Sequence, residues 1–309
     1  MYKFLFLFVF LLSSELIQAQ DKNELIGRWD LTIDFNDQVW PSWLEVTKSG
    51  RTTLVGRFVF AFGSARPIAE VKYDKTSGTY SFAIPPQWEP GMKNMEFIIS
   101  KTPEGIAGTM TYVNGKEYNF VGVPAPKMEY TDNPSWGSAI GLFNGQDLTG
   151  WSATGKNQWI VEDGILTSPQ SGSNLVTDQK FKDFKLNVEF RYPEGSNSGI
   201  YLRGRYEVQI IDSKDQDPSD ILFGGVYGFL TPNQMAAKGP GEWQNYEITL
   251  IGRRITIIAN GIPIIQDQII PGITGGAIDS NEGEPGPFLI QGDHGPIEIR
   301  KMTVTPVID

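Results

Sequence analysis

The chain is interrupted by turn residues so regularly that long helices have no room. It contains 34 glycines and 20 prolines in 309 residues, and they break runs of aromatic and β-branched residues about every eight to twelve positions. No long segment repeats its apolar residues with a 3.6 period, whereas period-two alternation recurs throughout. The expected fold class is all-β. In the first half, strand-like runs lie at 25–34, 42–47, 52–62, 68–73, 79–84, 95–100, 106–112 and 118–123. Eight short strands with tight turns such as Asn114-Gly115 predict a small closed barrel.

Composition changes at Pro124-Ala125-Pro126-Lys127 and again at Asp132-Asn133-Pro134, where proline without alternation marks a linker. Strand patterns resume from Gly137 and run almost to the end, with Gly-Asn, Asn-Gly and Gly-Gly turns. About a dozen further strands favour a two-sheet sandwich of jelly-roll type over a second small barrel. The resulting division is a leader at 1–19, a barrel at 20–126, a linker at 127–138 and a jelly roll at 139–309. In the leader, Lys3 precedes the apolar run Phe4 to Leu12, and Ile17-Gln18-Ala19 follows as a small-residue cleavage site. This pattern predicts a signal peptide and a mature protein in the periplasm or outside the cell. The run is too short for a membrane span, which needs roughly 18 residues, and no cysteine is available for lipid attachment, so no membrane anchor is expected.

The counts also restrict the chemistry. There is no cysteine and one histidine, His294, which excludes thiol nucleophiles, thiolate metal sites and sites needing two imidazoles in one subunit. A net charge of −10 without Lys/Arg-rich runs lacks the electrostatic footprint for nucleic acid. A neutral or cationic partner fits better. Asp215, Asp217 and Ser219 have the spacing of a calcium loop but lack its glycine and its closing glutamate, and read as a solvated acidic loop. No Gly-x-Ser-x-Gly elbow occurs in a strand-turn-helix context.

The densest polar pattern is Asn197-Ser198-Gly199-Ile200-Tyr201-Leu202-Arg203-Gly204-Arg205-Tyr206-Glu207-Val208-Gln209-Ile210. Alternation puts Ile200, Leu202, Val208 and Ile210 on one face, and Tyr201, Arg203, Glu207 and Gln209 on the other, with a turn near Gly204. That second face reads either as a solvated sheet surface with an Arg203–Glu207 cross-strand pair or as the floor of a sugar site. Next comes Phe288-Leu289-Ile290-Gln291-Gly292-Asp293-His294-Gly295-Pro296, a strand ending in a turn that holds the single histidine between glycines. His294 is either structural or a proton-transfer group suited to neutral pH. Trp151, Trp159, Trp243 and Tyr227 are candidate sugar-stacking residues, with core filling as their other use.

The stretch Leu142-Phe143-Asn144-Gly145-Gln146-Asp147-Leu148-Thr149-Gly150-Trp151 resembles the opening of the bacterial 3-keto-disaccharide hydrolase domain family. Trp159 to Gly164, Asn197 to Arg203, Tyr206 to Ile210, Gly241-Glu242-Trp243-Gln244, Asn260-Gly261 and Gln291 to Pro296 resemble it too, together covering roughly Ala139 to Val307. One departure is Lys301, where the family usually has asparagine after Arg300. The resemblance implies a concanavalin-like jelly roll that cleaves glycosides already oxidised to the 3-ketone, by C2 proton abstraction, elimination and hydration. It implies His294 as base or proton shuttle, oriented by Asp293, with Arg203 polarising the enolate oxygen. Glu207 would be second acid/base or ligand to a possible divalent metal, and Tyr201, Gln209, Gln291 and Trp243 would hold the substrate. A 3-dehydrogenase acting earlier on the same sugar is an implied partner. Gly27-Arg28-Trp29-Asp30, Pro41-Ser42-Trp43-Leu44, Gly63 to Pro67 and Pro85-Pro86-Gln87-Trp88-Glu89 resemble the lipocalin-like barrel that sometimes precedes this domain. Its role would be ligand capture or packing. The reading from a different class is a non-catalytic carbohydrate-binding sandwich.

Overall fold

The computed structural model describes residues 23–308, and every regular element within them is a strand. The leader expected at 1–19 lies outside the described residues. The first eight strands are β1 (Gly27–Phe35), β2 (Gln38–Ser49), β3 (Thr53–Val59), β4 (Arg66–Asp74), β5 (Thr79–Ile84), β6 (Met95–Lys101), β7 (Ile106–Thr111) and β8 (Glu117–Pro124). Each pairs with the next, and β8 pairs antiparallel with β1, so the sheet closes into the expected barrel. Alternation turns Leu31, Ile33, Leu44, Phe58, Phe97 and Phe120 into one buried cluster. Phe82 stacks on Phe97 at 4.5 Å, and Phe58 meets Phe97 at 4.6 Å. Eight strands enclose about the volume that side chains can fill, and here aromatics occupy it. Of the two roles open to the barrel, packing is the one its contacts display.

The remaining strands are β9 (Ser135–Trp136), β10 (Ile140–Gly141), β11 (Trp151–Ala153), β12 (Ile160–Glu162), β13 (Ile165–Ser168), β14 (Leu175–Thr177), β15 (Phe184–Arg191), β16 (Asn197–Leu202), β17 (Tyr206–Ile211), β18 (Gln244–Ile251), β19 (Arg254–Ala259), β20 (Ile262–Ile269), β21 (Leu289–Ile290) and β22 (Ile297–Ile308). They form two sheets. One runs β12-β13-β22-β15-β18-β19-β20, with β9 and β10 added on β22, and the other runs β11-β14-β21-β16-β17. The inward residues of both sheets, among them Ile200, Leu202, Val208, Ile210, Leu186, Ile248 and Ile299, make a second apolar core. Trp151 and Trp159 are buried in that core, their indole N–H groups donating to Leu142 O and Ser173 O at 2.6 and 2.8 Å. A buried indole N–H usually finds such an acceptor.

Trp43 fastens the two halves together. It stands on β2 of the barrel yet is fully buried in the jelly-roll core, edge-on to Phe229 at 5.2 Å. A Cβ on Gly272 would lie 2.0 Å from its indole nitrogen, so the loop before the last strands must pass it as glycine. Gly276 N also donates to Ala61 O at 2.8 Å. Removing a buried tryptophan of this kind costs about 3–5 kcal/mol.

Candidate active site

The outer face of the five-stranded sheet meets the loop around Gly275 and Gly276, which in turn touches the barrel at Ala61 and Gly63. In the β16–β17 ladder Tyr201 stands opposite Glu207 and Gly199 opposite Gln209, while Gln291 N donates to Gly199 O at 2.9 Å just beyond β21. Tyr201, Glu207, Gln209 and Gln291 therefore share one face, and all four are buried. A Cβ on Gly199 would sit 2.5 Å from Glu207 Oε1 and 2.9 Å from its Cγ. The Glu207 side chain thus lies across Gly199, a close approach that only glycine permits.

Glu207 is 3% exposed, and no Lys or Arg pairs with its carboxyl. The Tyr201 hydroxyl is 2.8 Å from Glu207 Oε2 and 3.0 Å from Gly275 O. A hydroxyl has one hydrogen to donate. When Glu207 is ionised, Tyr201 donates to it. When Glu207 carries a proton, it donates to Tyr201, which then turns its hydrogen to Gly275. Burial favours the second arrangement, pushing the Glu207 carboxyl up to about 8 against the opposing effects of Tyr201 and His294. Desolvation, with the negative charge of Glu207 next, drives the Tyr201 hydroxyl far above its usual range.

His294 follows β21 in a turn fixed on both sides. Gly292 N donates to Asn174 Oδ1 at 2.9 Å, the Ser171 hydroxyl donates to Asp293 O, and the Ser196 hydroxyl donates to Pro296 O at 2.6 Å. His294 Nδ1 is 2.7 Å from Asp293 Oδ1, and its side chain is 50% exposed. Because a carboxylate only accepts, Nδ1 carries the hydrogen and Nε2 is left for proton transfer. The Asp293 hydrogen bond raises the imidazole pKa above its usual value, and the charges of Asp293 and Glu207 add to that rise despite partial burial. The charge of each group also shifts the other, lowering Glu207 and raising His294.

The face also carries unpaired amides. Gln291 Oε1 and Asn197 Oδ1 are buried with no hydrogen-bond partner, an arrangement that costs about 1–3 kcal/mol per group unless a ligand or water completes it. Asn197 was not singled out from the sequence. Its alternation with Gly199 and Tyr201 was the available signal. Gln209 faces the same way, but Nε2 donates to Ile221 O at 3.3 Å and Oε1 accepts from Ile210 N at 3.2 Å. Tyr227 borders the site, its N–H donating to Glu207 O at 3.0 Å.

Two residues are elsewhere. Arg203 does not join Glu207. Arg203 and Gly204 both have positive φ, 54° and 67°, and Arg205 N closes the turn onto Leu202 O at 3.0 Å. Two left-handed residues in succession make a tight hairpin turn, and that turn breaks the alternation that placed Arg203 beside Tyr201. Its guanidinium is fully buried, lies 5.0 Å from the Tyr206 ring centre and donates to Gly252 O. The Arg203–Glu207 pair is replaced by Tyr201–Glu207. Trp243 lies on the other sheet, between the guanidinium groups of Arg191 at 4.7 Å and Arg300 at 4.4 Å. The alternation of β15 and β22 turns those arginines outward, so Trp243 cannot stack on a ligand at Glu207.

No group of three or more His, Asp or Glu side chains among the described residues could hold a metal ion. Glu207 and Asp293 belong to no such cluster, so the donor set does not fit a divalent cation.

The molecule is a two-part β protein with a buried acid and an imidazole on the outer face of its jelly roll. The profile of the 3-keto-alpha-glucoside-1,2-lyase-like domain matches residues 138–305, and the chain belongs to that family. A 3-keto-disaccharide hydrolase of Bacteroides thetaiotaomicron is 34% identical over 96 residues, which cover 27% of this chain and 32% of that protein. The chain thus spans about a third of the length of that curated relative. A provisionally assigned glycosyl hydrolase of Parabacteroides distasonis superposes with a TM-score of 0.45 at 27% identity, covering 58% of this chain and 93% of the other. A non-specific endo-β-1,3(4)-glucanase gives 0.37 at 11% identity, covering 59% and 95%.

Proposed function

We propose that this protein cleaves the glycosidic bond of sugars that carry a ketone at C3. The observation that carries the reading is Glu207, a carboxyl buried without a paired cation on the sheet face that leads to the half-exposed His294; burial pushes its pKa up to about 8. A pair of groups with pKa values near the working pH is what proton transfer in both directions requires. The family membership and the name of the Bacteroides relative support the substrate class.

The C3 ketone acidifies the C2 proton. His294 Nε2 takes that proton, the electron pair forms the C1–C2 double bond, and the C1–O bond breaks. Glu207 gives its proton to the departing oxygen, so an alcohol leaves. Water then adds across the double bond: hydroxyl bonds to C1, and C2 regains a proton from the imidazolium. The water's remaining proton restores Glu207, and the net result is hydrolysis. If water fails to add, the same first half gives an unsaturated sugar. Gln291 and Asn197 accept hydrogen bonds from sugar hydroxyls. An enzyme that oxidises the C3 hydroxyl would supply the substrate, and the leader pattern is the support for a reaction in the periplasm or outside the cell.

Incubating the purified protein with a 3-keto-disaccharide and following free monosaccharide or unsaturated product tests this reading. Turnover is expected. Tight binding without turnover would instead make the protein a carbohydrate-binding sandwich.

A further inference from the structure

The sheet face does not end at Tyr201. Gly275, whose carbonyl accepts from Tyr201, lies against the barrel: a Cβ there would be 2.3 Å from Gly63 O. A Cβ on Gly63 would in turn be 3.1 Å from Cδ1 of Trp88. Contacts therefore lead from Tyr201 through Gly275 and Gly63 to an indole on the β5–β6 loop, and that indole is 66% exposed. Phe62, next to Gly63, is 39% exposed.

The loop behind Trp88 is built to hold it. Glu89 Oε2 accepts from Gln87 N at 2.7 Å and from Trp88 N at 3.2 Å. The same carboxylate pairs with Arg66 at 3.1 Å, and both side chains are buried. Arg66 also donates to Pro85 O at 3.2 Å, and Gln87 Nε2 donates to Ser64 Oγ at 2.7 Å. A buried ion pair thus fixes the backbone on which a large apolar ring is presented to water. Neither apolar core includes Trp88. An aromatic ring held rigidly at the rim of a polar site suits the apolar C–H face of a pyranose.

We propose that Trp88, with Phe62 beside it, is a barrel-derived subsite that stacks on the leaving sugar of a substrate whose ketone-bearing ring sits at Glu207 and His294. The inference rests on the function proposed above. It gives the barrel a part in substrate selection through its rim, not its lumen.

The test compares wild type, Trp88→Ala and Trp88→Phe on a 3-keto-disaccharide and on the methyl 3-keto-glucoside, whose leaving group is too small to reach the rim. Trp88→Ala is expected to lower the disaccharide-to-methyl ratio of kcat/KM about tenfold, in line with the loss of one stacking contact, and Trp88→Phe to restore most of it. An unchanged ratio overturns the subsite. If wild type cleaves neither compound, the functional reading fails, and calorimetry with the unoxidised disaccharide decides the subsite separately. Binding that weakens about tenfold in Trp88→Ala supports it, whereas equal binding by the two proteins, or none by wild type, overturns it.

Discussion

Two buried clusters of charge sit on the same hairpin, one at its turn and one further along its strands, and they are handled in opposite ways. On the turn side, Arg205 pairs with Asp279 at 2.7 Å, Arg253 pairs with Glu282, and the Tyr206 hydroxyl donates to Glu282 at 2.6 Å. Asp30 of the barrel enters the same cluster, its carboxyl raised to about 8 by burial and then by the charge of Glu282. On the sheet side, Glu207 has a tyrosine and a half-exposed histidine but no cation fixed against it. Charges that are closed off against one another hold the two halves together. A carboxyl buried without a counterion, beside an exposed imidazole, is available for chemistry.

Glu207→Gln tests the sheet side and should have the largest effect. The amide keeps the shape but cannot transfer a proton, so kcat is expected to fall about 10²–10⁴-fold while thermal unfolding shows an intact fold. His294→Ala should fall in the same range. The wild-type pH profile of kcat/KM should be a bell. Activity is lost below the raised His294 pKa, where the base is protonated, and above about 8, where Glu207 gives up its proton. A single-limbed profile in wild type would break the assignment.

Glu282→Ala tests the turn side. Leaving Arg253 buried and unpaired should cost about 3–5 kcal/mol of stability, read by denaturant unfolding, with molecules that remain folded keeping their activity. Asp30→Asn probes the same cluster through pH. The folded carboxyl titrates near 8 and the unfolded one near 3.8, so the folded state binds the extra proton between those values. Wild-type stability from this group is present at low pH and is lost as pH rises toward 8. Asparagine lacks that dependence, so the melting temperature of Asp30→Asn minus that of wild type should increase with pH across the window. Trp243→Ala should matter least, about 1 kcal/mol of stability from the two lost cation–π contacts, with KM unchanged.

Much of this was legible in the sequence because strand alternation is a local rule. The eight barrel strands, the inward set Ile200, Leu202, Val208 and Ile210, and the outward set Tyr201, Glu207 and Gln209 all follow from period two. Arg203 escaped the rule because it lies in the turn itself, where a left-handed backbone redirects the side chain. Trp243 was a stacking candidate by residue type, which does not say which of the two sheets its neighbouring strand joins. Nor could spacing show that Gly199 makes room for Glu207, or that Trp43 of the barrel completes the other core. The first depends on how closely one side chain lies across the hairpin, and the second on residues far apart in the chain.

The central claim is that the C2 proton leaves during cleavage and returns from the protein or solvent. Running the reaction on a 3-keto-disaccharide in deuterium oxide and analysing early product by NMR measures this directly. Deuterium is expected at C2 of the released 3-keto sugar, in excess of that acquired by the same sugar incubated with the enzyme after cleavage. Cleavage with no such excess would mean that the bond breaks without C2 proton abstraction, and would contradict the roles given to His294 and Glu207.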